Sequence, residues 1–188
     1  KGVSNLEMTA AYASIANGGV YTKPRFFTKI LDHNGKVLID NEPETKQVLK
    51  DSTAFLLTDA MAESMKSNRL FARSGISINS TSTRAALTGM SAAGKSGTTT
   101  ANNDIWFVGY TPYYTAGIWG GCDSNQKLKH GNVNNGGTTF HKDIWRNIMN
   151  RIHEGKSDPG FAIPDSIETA EICRKSGKRA VAGVCTAD

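Results

Sequence analysis

Ala92-Ala93-Gly94-Lys95-Ser96-Gly97-Thr98-Thr99-Thr100 places one lysine among small hydroxyl residues and glycines. Residues of these types present an ammonium, hydroxyls and accessible backbone N–H groups to an anion. Two letter patterns overlap there. Gly89 through Ser96 spells G-x-x-x-x-G-K-S, in which a glycine-rich loop and a helix N-terminus cradle phosphates. Lys95-Ser96-Gly97-Thr98 spells K-S-G-T, a form of the K-T-G element, whose strand offers lysine, hydroxyls and N–H groups to a carboxylate. Taken alone, the four letters favour a surface lysine in a glycine-rich turn, so the surroundings decide.

A phosphate cradle needs a buried strand entering its first glycine and a helix opening at its Lys-Ser. Thr83-Arg84-Ala85-Ala86-Leu87-Thr88 is a poor buried strand. After Ser96 come glycine, three threonines, Ala101, Asn102 and Asn103, with no apolar 3.6-residue period. Ile105 to Tyr110 and Tyr113 to Trp119 read as two strands around Thr111-Pro112, and so short a connection makes them antiparallel. A parallel nucleotide-binding sheet is therefore disfavoured. The same surroundings suit a strand at Lys95 followed by further antiparallel strands. At an edge facing a cleft, Gly97 lets another chain approach closely, and a backbone N–H can face the oxygen of a tetrahedral intermediate.

The remaining elements frame that sheet. Ser4-Asn5-Leu6-Glu7 is a capping box, and Leu6, Ala10, Ala13 and Ala16 follow at helical spacing until Asn17-Gly18-Gly19. Phe26 to Leu31 and Lys36 to Asp40 flank Asp32-His33-Asn34-Gly35, a hairpin whose loop exceeds two residues, with His33 solvated. Glu42 to Lys50 reads as a polar connection. Asp51 or Ser52 caps a second helix with Ala54, Leu57, Met61 and Met65 as its apolar stripe, the methionines serving as core filling. Asn68 to Thr83 is a long polar loop, and another runs on to Gly137. Thr138 or Thr139 caps a third helix with Ile144, Trp145, Ile148, Met149 and Ile152 on one face, closed by Gly155. Lys156 to Asp188 shows little periodicity and reads as an appended extension.

The 188 residues suffice for one full core. Lys and Arg number 22 against 17 Asp and Glu, a scattered +5 with pI near 9.1. Without a basic run, nucleic-acid binding is disfavoured, while mild positive charge suits a nearby anionic surface. No stretch approaches a membrane span of about 20 apolar residues. Cys122, Cys173 and Cys185 contain no C-x-x-C, and His33, His130, His141 and His153 lack ligand spacing, so no metal or other cofactor is expected. Cys173 and Cys185 fit either a local disulfide or two separate thiols.

Several segments in order resemble the transpeptidase domain of bifunctional, class A penicillin-binding proteins. They are Gly2-Val3-Ser4 with Leu6-Glu7-Met8, Ala11-Tyr12-Ala13, Ala16-Asn17-Gly18-Gly19-Val20-Tyr21, Gly94 to Thr99, and Asp104 to Pro112. The similarity spans residues 1–155, with 156–188 resembling extensions of some Gram-positive members. It implies an α/β architecture of α+β type: an antiparallel sheet flanked by helices, the penicillin-binding and β-lactamase-like fold, present only in part.

Members of this family cross-link peptidoglycan. A serine attacks a stem peptide ending in D-Ala-D-Ala, releases the last D-Ala and passes the acyl group to an amine; β-lactams acylate the same serine. By resemblance, Lys95 holds the substrate carboxylate and sets the field around the nucleophile. Ser96 and Thr98 hydroxyls bind that carboxylate, Gly97 gives access, and the Thr98 N–H is an oxyanion donor. The family's S-x-x-K and S-x-N precede K-T-G. Ser124-Asn125-Gln126-Lys127 and Ser77-Ile78-Asn79 match in letters but are read as chance. The nucleophile is therefore expected before Lys1, in an N-terminal half of the same domain. Further expectations are an isolated chain that is inactive, and an extracytoplasmic location at a bacterial membrane through an N-terminal anchor outside this chain. The alternative function is a non-catalytic module of the same fold that senses or docks cell-wall peptides.

Overall fold

Ser4 accepts a hydrogen bond from the Glu7 N–H on its side chain, and Glu7 accepts one from the Ser4 N–H at 2.8 Å. This reciprocal cap starts helix α1 (Asn5–Ala16) as the sequence predicts. The computed structural model describes residues 2–66, 70–71, 77–78, 80–100, 102–124, 126, 128, 139–173 and 176–184, with side chains at all of these except 70, 71, 77 and 78. Its elements after α1 are β1 (Val20–Thr22), β2 (Lys29–Leu31), β3 (Val37–Asp40), β4 (Thr45–Gln47), α2 (Asp51–Glu63), β5 (Leu70–Phe71) and β6 (Ser77–Ile78). A 3-10 turn (Thr83–Ala85) leads to β7 (Ala93–Thr98), β8 (Asp104–Tyr110), β9 (Thr115–Gly121) and α3 (Phe140–Ile152).

The centre is the antiparallel sheet β7-β8-β9. Its register pairs Lys95 with Val108 and Gly97 with Trp106, then Trp106 with Trp119. Side chains alternate along strands, so Lys95, Gly97, Val108, Trp106 and Trp119 share one face. Helix α1 packs on that face: the Asn5 amide donates to the Gly117 carbonyl at 3.0 Å, and a Cβ at Gly117 would collide with Thr9 and Asn5. Helix α3 covers the other face. Trp145 is fully buried against Phe107, with ring centroids 5.1 Å apart, and its indole N–H donates to the Ala116 carbonyl. Met65, Ala85 and Met149 complete this core, while Met61, Ala93 and Tyr110 form a second cluster reached by Tyr12, Ile15 and Phe161.

Several expectations are corrected by tertiary packing. Residues 42–50 are more than a connection: Thr45–Gln47 pair antiparallel with Val20–Thr22. Lys50, not Asp51 or Ser52, is the N-cap of α2. Leu57 is 42% exposed and Thr58 is buried in its place, because Thr58 Oγ1 donates to the Ala54 carbonyl and meets the Tyr110 hydroxyl at 2.7 Å. Leu6 on α1 and Ile144, Ile148 and Ile152 on α3 are exposed, whereas His141, Trp145 and Met149 face the core. The methionines of and after α2 are core filling, and the β2–β3 hairpin turns over residues 32–36 with His33 exposed and Gly35 at φ 82°. Most of residues 68–79 and 125–138, including His130, lies outside the described residues.

Candidate functional site

Strand β7 lies at one edge of its sheet, and among the described residues no strand pairs with its outer side. Two hydrogen bonds fix which groups point outward. The Thr99 N–H donates to the Asp104 carbonyl at 3.1 Å, so the odd-numbered residues turn their backbone groups toward β8. The Gly94 carbonyl accepts from Ser64 Oγ at 3.2 Å, so the even-numbered residues turn theirs away from it. By the two-residue repeat, the N–H groups of Ser96 and Thr98 and the Ser96 carbonyl project from the free edge.

The four residues singled out from sequence thus meet at one edge. Lys95 is exposed, and its Nζ donates to the Ser96 carbonyl at 2.9 Å. Among the described residues it has no carboxylate partner. Ser96 and Thr98 extend their hydroxyls from the opposite face of the strand. Gly97 is half-buried, and a Cβ built there meets only Trp106 Cβ at 3.5 Å, an ordinary contact. The fold of this chain therefore does not itself require glycine at 97. Gly94 differs: a Cβ there would approach Phe107 at 2.8 Å and Gly109 at 2.9 Å.

Beside Lys95 opens a cavity of about 640 Å³, walled by the start of α1, by Lys95 to Gly97, and by Trp106, Val108 and Trp119. Trp106 and Trp119 stand 6.5 Å apart at a 53° tilt, and the Trp119 indole donates to Asp104 Oδ1 at 3.0 Å. Sequence reading missed this aromatic wall. Counting the register from the Thr111-Pro112 turn would have paired Trp106 with Trp119. It also missed Ser64, whose hydroxyl reaches β7 from the end of α2 and carries no local signature.

Among the described residues no group of three or more His, Cys, Asp or Glu could hold an ion. His153 is satisfied internally: one ring nitrogen meets the Met149 carbonyl at 2.6 Å and the other Thr111 Oγ1 at 2.8 Å. His141 is 1% exposed, and among the described residues neither ring nitrogen makes a hydrogen bond of good geometry, the Trp106 backbone being the polar group that acts on the ring. Burial, then the charge of Lys142, lowers its pKa to about 4. Lys127 and Asn79, which end the two serine motifs, lie outside the described residues, as does Cys185. Cys122 is an exposed free thiol. The overlapping phosphate motif has no structural support: Gly89 sits at φ 71° in a bend, and Lys95-Ser96 lies within a strand rather than opening a helix.

Residues 1–150 match the family model described as "Penicillin binding protein transpeptidase domain". Penicillin-binding protein 1A of Clostridium botulinum is 32% identical over 178 residues, which is 95% of this chain and 20% of that protein. Penicillin-binding protein 1A/1B of Bacillus subtilis is 30% identical over 97% of this chain and 20% of its own length. The chain thus spans about a fifth of these curated relatives. Among solved structures, penicillin-binding protein 1A of Haemophilus influenzae superposes with a TM-score of 0.78 at 23% identity, covering 96% of this chain and 31% of that one. PonA1 of Mycobacterium tuberculosis gives 0.65 at 28% identity over 87% and 42%.

Proposed function

The chain belongs to the penicillin-binding protein transpeptidase family, with class A homologues, and on that premise we propose that it supplies one wall of a peptidoglycan D,D-transpeptidase cleft. The observation that carries this reading is the free edge of β7. There a cation with no carboxylate partner among the described residues, two hydroxyls and two outward N–H groups occupy four consecutive residues. Such an array suits a substrate ending in a carboxylate and a carbonyl that develops negative charge.

In this reading Lys95 holds the carboxylate of a D-Ala-D-Ala stem peptide, or of a β-lactam, and sets the field at the nucleophile. Ser96 and Thr98 hydroxyls donate to that carboxylate, and the Thr98 N–H donates to the oxyanion. A serine contributed by an N-terminal half of the domain attacks the carbonyl, D-Ala leaves, and an acceptor amine takes the acyl group. Residues 1–155 form part of the transpeptidase unit and 156–188 an extension, which Phe161 ties to Tyr110 with ring centroids 5.8 Å apart. The cleft faces the cell wall on the extracytoplasmic side of a bacterial membrane. Among the described residues no helix is long and apolar enough to cross that membrane.

Incubation with a fluorescent penicillin tests the division of labour. The 188-residue chain alone acquires no stoichiometric covalent label, and label appears only when the N-terminal half is supplied. A stoichiometric adduct on Ser124 of the isolated chain overturns the reading. In the reconstituted pair, Lys95→Ala slows acylation while the fold is kept.

A further inference from the structure

Lys95 is not the only cation at the free edge of β7. Ser80 Oγ and the Ser82 N–H both donate to the Ser64 carbonyl, and Ser64 Oγ donates to Gly94 on β7. Lys142, in the first turn of α3, donates from Nζ to the Thr81 carbonyl at 2.7 Å. These contacts tie Lys142, through Thr81, Ser82 and Ser64, to β7 at Gly94. Helix α3 lies on the face from which the Ser96 and Thr98 side chains extend, and the Lys142 ammonium is near enough to feel the charge of Lys95. Lys95 rises from the α1 side and bends back to the Ser96 carbonyl. The edge is thus flanked by one lysine from each face.

The charges there do not balance. Asp143 is the nearby carboxylate, and it is engaged by Arg84 at 2.6 Å and Arg146 at 3.2 Å. Among the described residues neither Lys95 nor Lys142 has an ion-pair partner. Burial lowers the Lys142 pKa, and the neighbouring Lys95 and Arg84 lower it further, against a smaller opposing effect of Asp143. Like charges held together at a partly dry edge destabilise one another until an anion joins them.

We propose that Lys142 is a second carboxylate-binding cation of this site, facing Lys95 across the free edge of β7. The assignment rests on reading Lys95 to Thr98 as a carboxylate-binding strand. It adds a residue from a distant helix to a site otherwise contained in four consecutive positions.

Acetate, titrated into the 188-residue chain at pH 7 and constant ionic strength, is the direct probe, read by NMR at the Ser96 and Thr98 amides. Wild type shows saturable shifts. Lys142→Met weakens acetate binding about two- to fivefold, the range of a solvent-accessible ion pair. Lys142→Arg recovers it, and acetamide, the neutral isostere, binds wild type and Lys142→Met alike. Acetate binding unchanged in Lys142→Met but weakened in Lys95→Met overturns the role of Lys142 and leaves the strand reading standing. No saturable shift in wild type, or none of its affinity lost in Lys95→Met, overturns both. Should Lys142→Met fail to fold, isotopic dimethylation of the wild-type lysines decides: the Lys142 signal must move with acetate and not with acetamide.

Discussion

The Ser64 hydroxyl at the C-terminal cap of α2 shares its proton between the Met61 carbonyl at 2.8 Å and the Gly94 carbonyl of β7, 30 residues away, at 3.2 Å. A helix end therefore satisfies the edge of the strand at Gly94. Two and four residues further on, the outward N–H groups of Ser96 and Thr98 remain available to a ligand. One hydrogen bond thus separates the structural part of the strand from its candidate binding part.

Amide hydrogen exchange should reproduce that boundary. The Lys95 and Gly97 N–H groups face β8 and exchange slowly. The Ser96 and Thr98 N–H groups exchange faster by about tenfold or more, since no described strand covers them. Equal protection at all four positions contradicts the assigned orientation of β7.

Glycine-to-alanine substitutions should divide by position. A Cβ at Gly109 meets Trp145 at 2.9 Å and the Ala93 carbonyl at 3.0 Å, so Gly109→Ala lowers stability by about 1–3 kcal/mol through overpacking. Gly97→Ala meets only an ordinary contact, so its midpoint in urea stays close to wild type, while acetate binding at the edge weakens. A loss of stability at Gly97 matching that at Gly109 contradicts this division.

The Thr58–Tyr110 pair should respond unequally to its two deletions. Thr58 Oγ1 spends its only proton on the Ala54 carbonyl, so Tyr110 is the donor in the 2.7 Å contact. Thr58→Val leaves a fully buried phenol without an acceptor and costs about 1–3 kcal/mol, whereas Tyr110→Phe leaves Thr58 bonded to Ala54 and costs less. Burial also raises the Tyr110 pKa to about 12. Ultraviolet titration of wild type should find one tyrosine ionising well above pH 10.

His141 should set part of the acid sensitivity. Its pKa falls from 6.5 to about 4 on folding, so the unfolded chain binds the extra proton between those values. Its contribution is fully present above pH 6.5 and is lost as pH falls toward 4, with a slope of at most about 1.4 kcal/mol per pH unit. Urea midpoints measured between pH 7 and 4 should fall less steeply for His141→Leu than for wild type. Parallel curves for the two proteins remove His141 as the cause.

Local chemistry made much of this architecture readable. The Ser4–Glu7 box forms its cap because both partners lie within one turn. The run from Asp104 to Tyr110 is a strand because its apolar and aromatic residues fit a pleated, half-buried surface. Lys95 to Thr98 could be placed on an antiparallel strand because the strands that hold it follow immediately in the chain. Thr45–Gln47 left no such trace: all three residues are exposed, so their pairing with β1 imposes no hydrophobic period.

Phase and partnership were the parts left to tertiary structure. Helix α3 offers Ile144, Ile148 and Ile152 on one stripe and His141, Trp145 and Met149 on the adjacent one, and helical spacing cannot rank two neighbouring stripes. The choice falls to Trp145, which fits over Gly109 where a larger residue would leave no room. By itself, then, the sequence determined the capped helix, the antiparallel strands and a lysine-bearing strand chemically suited to a carboxylate. Only the folded chain decided that β7 is an edge, that Ser64 satisfies it at Gly94 and that Lys142 arrives beside it. Those facts depend on contacts between residues tens of positions apart, set by shape and exclusion of water rather than by any repeat along the chain.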